Sequence, residues 1–104
     1  MFGSIKGLFS KKEAKIAAVV RNGAYLVDVR TPAEFAEGHV GRSVNIPLDQ
    51  LSSRLEGLSR DTPIVVFCRS GNRSALALAM LTHHGFTRVL NGGTWLQINK
   101  IVNN

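Results

Sequence analysis

The chain has 104 residues, 44% of them hydrophobic and 19% charged, which describes one domain with a single core and is too apolar for a disordered chain. No apolar run nears the roughly 20 residues that span a bilayer. The formal net charge is +6, with a surplus of four in residues 1–21 alone; this suits anionic small molecules or acidic partners, and with no recognition motif in the sequence nucleic acid is not an expected partner.

The sequence divides into a basic and apolar N-terminal extension, residues 1–11, and a domain over 12–104. In the extension Phe2, Ile5, Leu8 and Phe9 recur at helical spacing beside Lys6, Lys11, Lys12 and Lys15. Residues 1–15 therefore have two readings: a segment folded back onto the domain, or an amphipathic helix on an anionic membrane surface or a partner. Gly3 and Gly7 weaken an independent helix and favour the first. The apolar run Ile16–Val20 is too short for the core of a signal peptide.

A helix is predicted from about Lys12 to Asn22, stopped by Gly23. Tyr25–Val29 reads as a short buried strand. Thr31, Pro32 and Glu34 then form a capping-box signature that opens the next helix. Ser43–Pro47 reads as a second strand, and Leu48, Leu51, Leu55 and Leu58 recur at helical spacing. Asp61-Thr62-Pro63 marks a turn before Ile64–Phe67, the strongest strand pattern in the chain. A helix is predicted over Ala75–His84, closed by Gly85, then a short strand Arg88–Leu90, a turn at Asn91-Gly92-Gly93 and a last helix over Thr94–Val102. Strands separated by helices of this length predict an α/β sandwich, a mainly parallel central sheet with helices on both faces. Ligands gather at the carboxyl ends of such strands, and Cys68 follows the most apolar one.

Cys68 is the only cysteine. It makes no intramolecular disulfide, which fits a reducing compartment and makes the cytoplasm the expected location. Three effects around it favour thiolate over thiol. Gly71 lets the loop Arg69–Arg73 curl so that backbone N–H groups point inward as an anion nest. The following helix aims its positive end at the same place. Arg69 and Arg73 add formal charge. An activated nucleophile is the reading that results.

The segments LVDVRTPAEFAEGHVGRSVNIP, VVFCRSGNRS and GFTRVLNGGTW, in that order, resemble a single-domain rhodanese, a thiosulfate sulfurtransferase, from about Lys12 to about Asn99. The resemblance implies a rhodanese-like sandwich in which Cys68 carries a persulfide cradled by the loop Cys68–Arg73. It implies a small anionic sulfur donor such as thiosulfate, a thiol, cyanide or protein acceptor, and no metal or organic cofactor. The related phosphatase loop needs five residues between cysteine and arginine; here Arg73 follows after four. The alternative is a sulfur-relay or regulatory module whose donor or acceptor is a protein docked on the basic face.

Within the loop, Arg69 is expected to attract the anionic donor. Ser70 and Asn72 either bind the donor or shape the turn. Arg73 either binds substrate or braces the loop by pairing with Asp28 or Glu34; bracing is favoured because Asp28 ends a neighbouring strand. Ser74 is expected to bond N–H groups at the helix start. His39 matches a family position that holds the loop between helix and strand. Adjacent His83 and His84 share no helix face and suit the helix dipole better than a metal. Trp95 has two readings, core packing or a substrate platform, and core packing is favoured.

Overall fold

The computed structural model describes residues 10–104; the expectations for residues 1–9 lie outside the described residues. Helix α1, Lys11–Arg21, opens on a capping box in which the Ser10 hydroxyl accepts from the Glu13 N–H at 3.0 Å and the Glu13 carboxylate accepts from the Ser10 N–H at 2.8 Å. Two orphan donors of the first turn are thereby satisfied. Ile16, Ala17 and Val20 form its buried face.

The sheet consists of β1 (Tyr25–Asp28), β2 (Val44–Asn45), β3 (Ile64–Cys68) and β4 (Val89–Thr94). Every pairing is parallel and the spatial order is β2-β1-β3-β4. The chain leaves β1 first to one side and then to the other, so the β1/β3 boundary is the switch point where a binding crevice opens. Helix α2, Pro32–Glu37, follows β1. A 3₁₀ turn, Leu48–Gln50, leads into the single-turn helix α3, Leu51–Arg54. Helix α4 spans Asn72–His83 and α5 spans Trp95–Val102.

Side-chain alternation along β3 divides the core. Ile64, Val66 and Cys68 face a cluster with Leu51, Leu55, Ala77 and Leu81, from α3, α4 and the segment between α3 and β3. Val65 and Phe67 face the opposite cluster, with Ile16, Val20, Ile98 and Ile101 from α1 and α5. All five residues of β3 are buried. That explains a continuous apolar run in place of a polar–apolar alternation: a central parallel strand is covered on both sides.

Four expectations need correction. The helix after Cys68 begins at Asn72, three residues before Ala75, because Gly71 at φ +95° turns the chain directly into it. Asn91, Gly92 and Gly93 are strand residues: β4 pairs Val66 with Asn91 but Phe67 with Gly93, so Gly92 is the extra residue of a bulge. A Cβ on Gly92 would stand 2.8 Å from both Ile98 and Val65, which explains the glycine by close packing. The leucine run after Pro47 forms a 3₁₀ turn and one helical turn, ending at Arg54. The second strand is two residues long, with the Asn45 side chain donating to the carbonyls of Asp28 (3.0 Å) and Arg30 (2.9 Å) beyond the ladder.

Candidate active site

Cys68 closes β3 and has no exposed surface. Its side chain lies on the α4 side of the sheet. The chain leaves it through Arg69 and Ser70, both exposed, and re-enters at Gly71. The left-handed backbone of Gly71 directs its N–H back to the thiol, donating to Sγ at 3.0 Å. A Cβ at this position would meet the Gly93 backbone at 3.6 Å, an ordinary contact. Glycine is thus required by the backbone angle, not by space.

Burial alone would raise the Cys68 pKa. The Ser74 hydroxyl, where it turns its proton to the sulfur, and the backbone N–H groups of Ser74, Ser70 and Gly71 outweigh it and hold the thiol below its ordinary value. The leading causes that lower it are hydrogen bonds, and no formal charge is among them. Arg73 is committed elsewhere: its two guanidinium nitrogens donate to the two carboxylate oxygens of Glu34, at 2.7 and 3.0 Å. Arg69 is exposed on the loop.

The Arg73–Glu34 fork is the bracing contact, and Glu34 is the partner rather than Asp28. Glu34 also accepts from the Thr31 N–H at 3.0 Å, completing the capping box of α2. The Arg73 hydrogen bond, followed by the one from Thr31, depresses its carboxyl from 4.5 to about 2. One carboxylate thus ties the first turn of α2 to the first turn of α4, across the mouth of the crevice.

Asp28 serves a different loop. Fully buried, it takes the Arg30 side chain at 2.8–3.0 Å, and the same guanidinium donates to the Gly38 carbonyl at 2.7 Å. The guanidinium also lies 4.6 Å from the centre of the Trp95 ring. Trp95 is only half-buried; with Arg30, Arg69, Glu37, Gly38 and Leu96 it lines a cavity of about 390 Å³ at the mouth of the loop. Its place is both core edge and cavity wall. His39 sits on the helix–strand connection, its Nδ1 2.8 Å from the Phe35 carbonyl and its ring stacked on Phe35.

Ser74 is buried and does not cap the helix. Its hydroxyl lies 3.5 Å from Cys68 Sγ, 3.1 Å from the Gly71 carbonyl and 2.7 Å from Asn91 Oδ1. Asn72 stands exposed as the first residue of α4. Among the described residues no three histidine, cysteine, aspartate or glutamate side chains gather as a metal site, and no helix is long and apolar enough to cross a membrane. Two residues of the site are not among those expected from the sequence, Asn91 and Arg30. The turn-like composition of Asn-Gly-Gly hides Asn91; Arg30, beside a strand-end aspartate, carries a legible signal in its spacing to Asp28.

Residues 10–94 match the family described as Rhodanese-like domain. A sulfurtransferase of Allochromatium vinosum is 42% identical over 66 residues, 64% of this chain and 62% of that protein. The thiosulfate sulfurtransferase GlpE of Pseudomonas aeruginosa is 39% identical over 74 residues, 69% of this chain and 67% of that protein. A solved rhodanese with anions from E. coli superposes with a TM-score of 0.68 at 28% identity, covering 72% of this chain and 91% of the other. Its fold and sequence together place this chain in the rhodanese-like domain family.

Proposed function

We propose that this protein is a sulfurtransferase that carries sulfane sulfur as a persulfide on Cys68. The observation that carries the reading is the Gly71 N–H at 3.0 Å from Sγ, inside a loop whose N–H groups favour the thiolate. The names of the relatives, a sulfurtransferase and a thiosulfate sulfurtransferase, support it.

The Cys68 thiolate attacks the outer sulfur of thiosulfate or a related donor. The S–S bond of the donor breaks, sulfite leaves with the electron pair, and a Cys68 persulfide remains. The terminal sulfur is anionic, and the N–H groups that held the thiolate are preorganised to hold it. A thiolate or cyanide then attacks that sulfur and Cys68 leaves as thiolate. No metal or organic cofactor takes part. Cys68 lies beneath Arg69 and Ser70, so the donor reaches it as those exposed residues yield, drawn by the Arg69 charge. The thiol has to stay reduced to work, a condition that a reducing compartment such as the cytoplasm supplies.

A second reading, in which a protein supplies or accepts the sulfur, is favoured by the cavity mouth: Leu96 is 56% exposed there and shares the cavity with Arg69. Intact mass after incubation with thiosulfate tests the first. A gain of one sulfur atom, removed by cyanide and absent in Cys68→Ser, is the expected result. No gain with thiosulfate, but a gain from a persulfidated protein, would replace it with the relay; no gain from either would refute both.

A further inference from the structure

We propose that Asn91, on the strand beside the cysteine, is a positioning residue that governs the ionisation of Cys68 by holding the single proton of Ser74. The inference rests on the reading of Cys68 as a working thiolate.

The orientation of the Asn91 amide is determined by a backbone group. The Gly93 N–H lies 2.9 Å from Oδ1 and has to meet an acceptor, so oxygen occupies that position. The NH₂ end then points to the Gly71 carbonyl at 3.4 Å. Ser74 Oγ is therefore surrounded by acceptors: Asn91 Oδ1 at 2.7 Å, the Gly71 carbonyl at 3.1 Å and the Cys68 sulfur at 3.5 Å. A hydroxyl has one proton and two lone pairs. The shortest contact takes the proton, and Ser74 then presents a lone pair to the cysteine. That arrangement suits the neutral thiol, whose S–H donates to Oγ. When Cys68 ionises its proton goes to solvent, and Ser74 stabilises the sulfur only by rotating its own proton away from Asn91. Asn91 thus opposes the thiolate and limits how far the nest lowers the thiol. The bulge in β4 places it there: Asn91 pairs with Val66, while Gly93 stands opposite Phe67.

Charged groups around Cys68 do not perform this role. Arg69 adjoins it in the loop; Arg73 of α4 is paired with Glu34 of α2, and Asp28 of β1 with Arg30. Tyr25 lies at the opposite end of β1. Asp49 and Arg54, beside and within α3, are exposed. Neither β4 nor the first turn of α5 carries a titratable side chain, and Lys12 and Glu13 of α1 line a cavity bordered by Asn91.

The test is a titration of the Cys68 thiol by ultraviolet thiolate absorbance and, independently, by the pH dependence of its alkylation by iodoacetamide. Asn91→Ala, by releasing the Ser74 proton, is expected to lower the midpoint by about one pH unit, the worth of one hydrogen bond. The near-isosteric Asn91→Asp keeps the acceptor for Gly93 and adds charge, and is expected to raise it. In a Ser74→Ala background, Asn91→Ala is expected to have no effect on the midpoint. An unchanged or raised midpoint in Asn91→Ala, a lowered one in Asn91→Asp, or a shift that survives Ser74→Ala would overturn the proposal. No sulfur donor enters this titration. A protein that titrates as expected but gains no sulfur therefore refutes the transferase reading alone, and one that gains sulfur without the Asn91 effect refutes this inference alone.

Discussion

Two arginine–carboxylate pairs stand at the same end of the sheet and differ in almost every physical respect. Asp28 and Arg30 are two residues apart in sequence, with side chains 0% and 4% exposed. Glu34 and Arg73 are 39 residues apart, with side chains 24% and 35% exposed. Removing one member of the buried pair strands a charge without water, whereas the exposed pair can exchange its partner for solvent. The buried pair is an integral part of the wall, tied to Gly38 and to the Trp95 face. The exposed pair sets the position of a loop.

The two pairs should differ most in the effect of losing the arginine. Arg30→Ala leaves the Asp28 carboxylate uncompensated and is expected to cost about 3–5 kcal/mol of unfolding free energy in urea, or to prevent folding. A cost near that of a surface substitution would show that Asp28 finds another partner. Arg69→Ala removes a charge that makes no ion pair among the described residues; a tenfold fall in kcat/KM with thiosulfate, about 1.4 kcal/mol, is expected with an unchanged melting temperature. A shift in melting temperature would instead make Arg69 part of the scaffold.

Glu34→Gln, by contrast, is expected to cost only about 1 kcal/mol, because solvent screens a pair this exposed. Its effect should be clearer in sulfur loading, since the first turn of α4 loses its anchor. The smallest effect is the pH dependence of that cost. The Glu34 carboxyl is depressed from 4.5 to about 2 in the folded protein, so its contribution is complete above about 4.5 and is lost as pH falls towards 2. The stability gap between the wild-type protein and Glu34→Gln should be constant from neutral pH to about 4.5 and close by about 2. A gap that does not change between neutral pH and about 2 would mean that the fork is not formed in solution.

Local signals were accurate where the physics is local. Thr31, Pro32 and Glu34 spelled out the start of α2, and its capping box forms. The apolar run Ile64–Phe67 carries the strongest strand pattern, and β3 is that strand, extended by Cys68. The same kind of signal stands at Ser10 and Glu13, which cap α1. Composition misled where tertiary packing overrode it. Asn-Gly-Gly has the residues of a turn, yet pairing with β3 draws it into the sheet as a bulge. The leucines after Pro47 have helical spacing, but the segment supports only a single helical turn before Arg54.

The order of strands and helices, the placement of Cys68 at a carboxyl strand end and the glycine-turned loop that follows are written in the chain itself. These depend on side-chain pattern, caps and backbone freedom within a few residues, so they are legible without knowing what lies across the fold. Only the tertiary structure decided that Arg73 takes Glu34 and leaves Asp28 to Arg30, and that Ser74 turns from the helix end to Asn91, 17 residues away. A polar side chain bonds whichever partner the packed sheet delivers within about 3 Å, and that choice depends on β4 lying against β3 with one residue bulged and on α2 lying across from α4. No spacing along the chain encodes it.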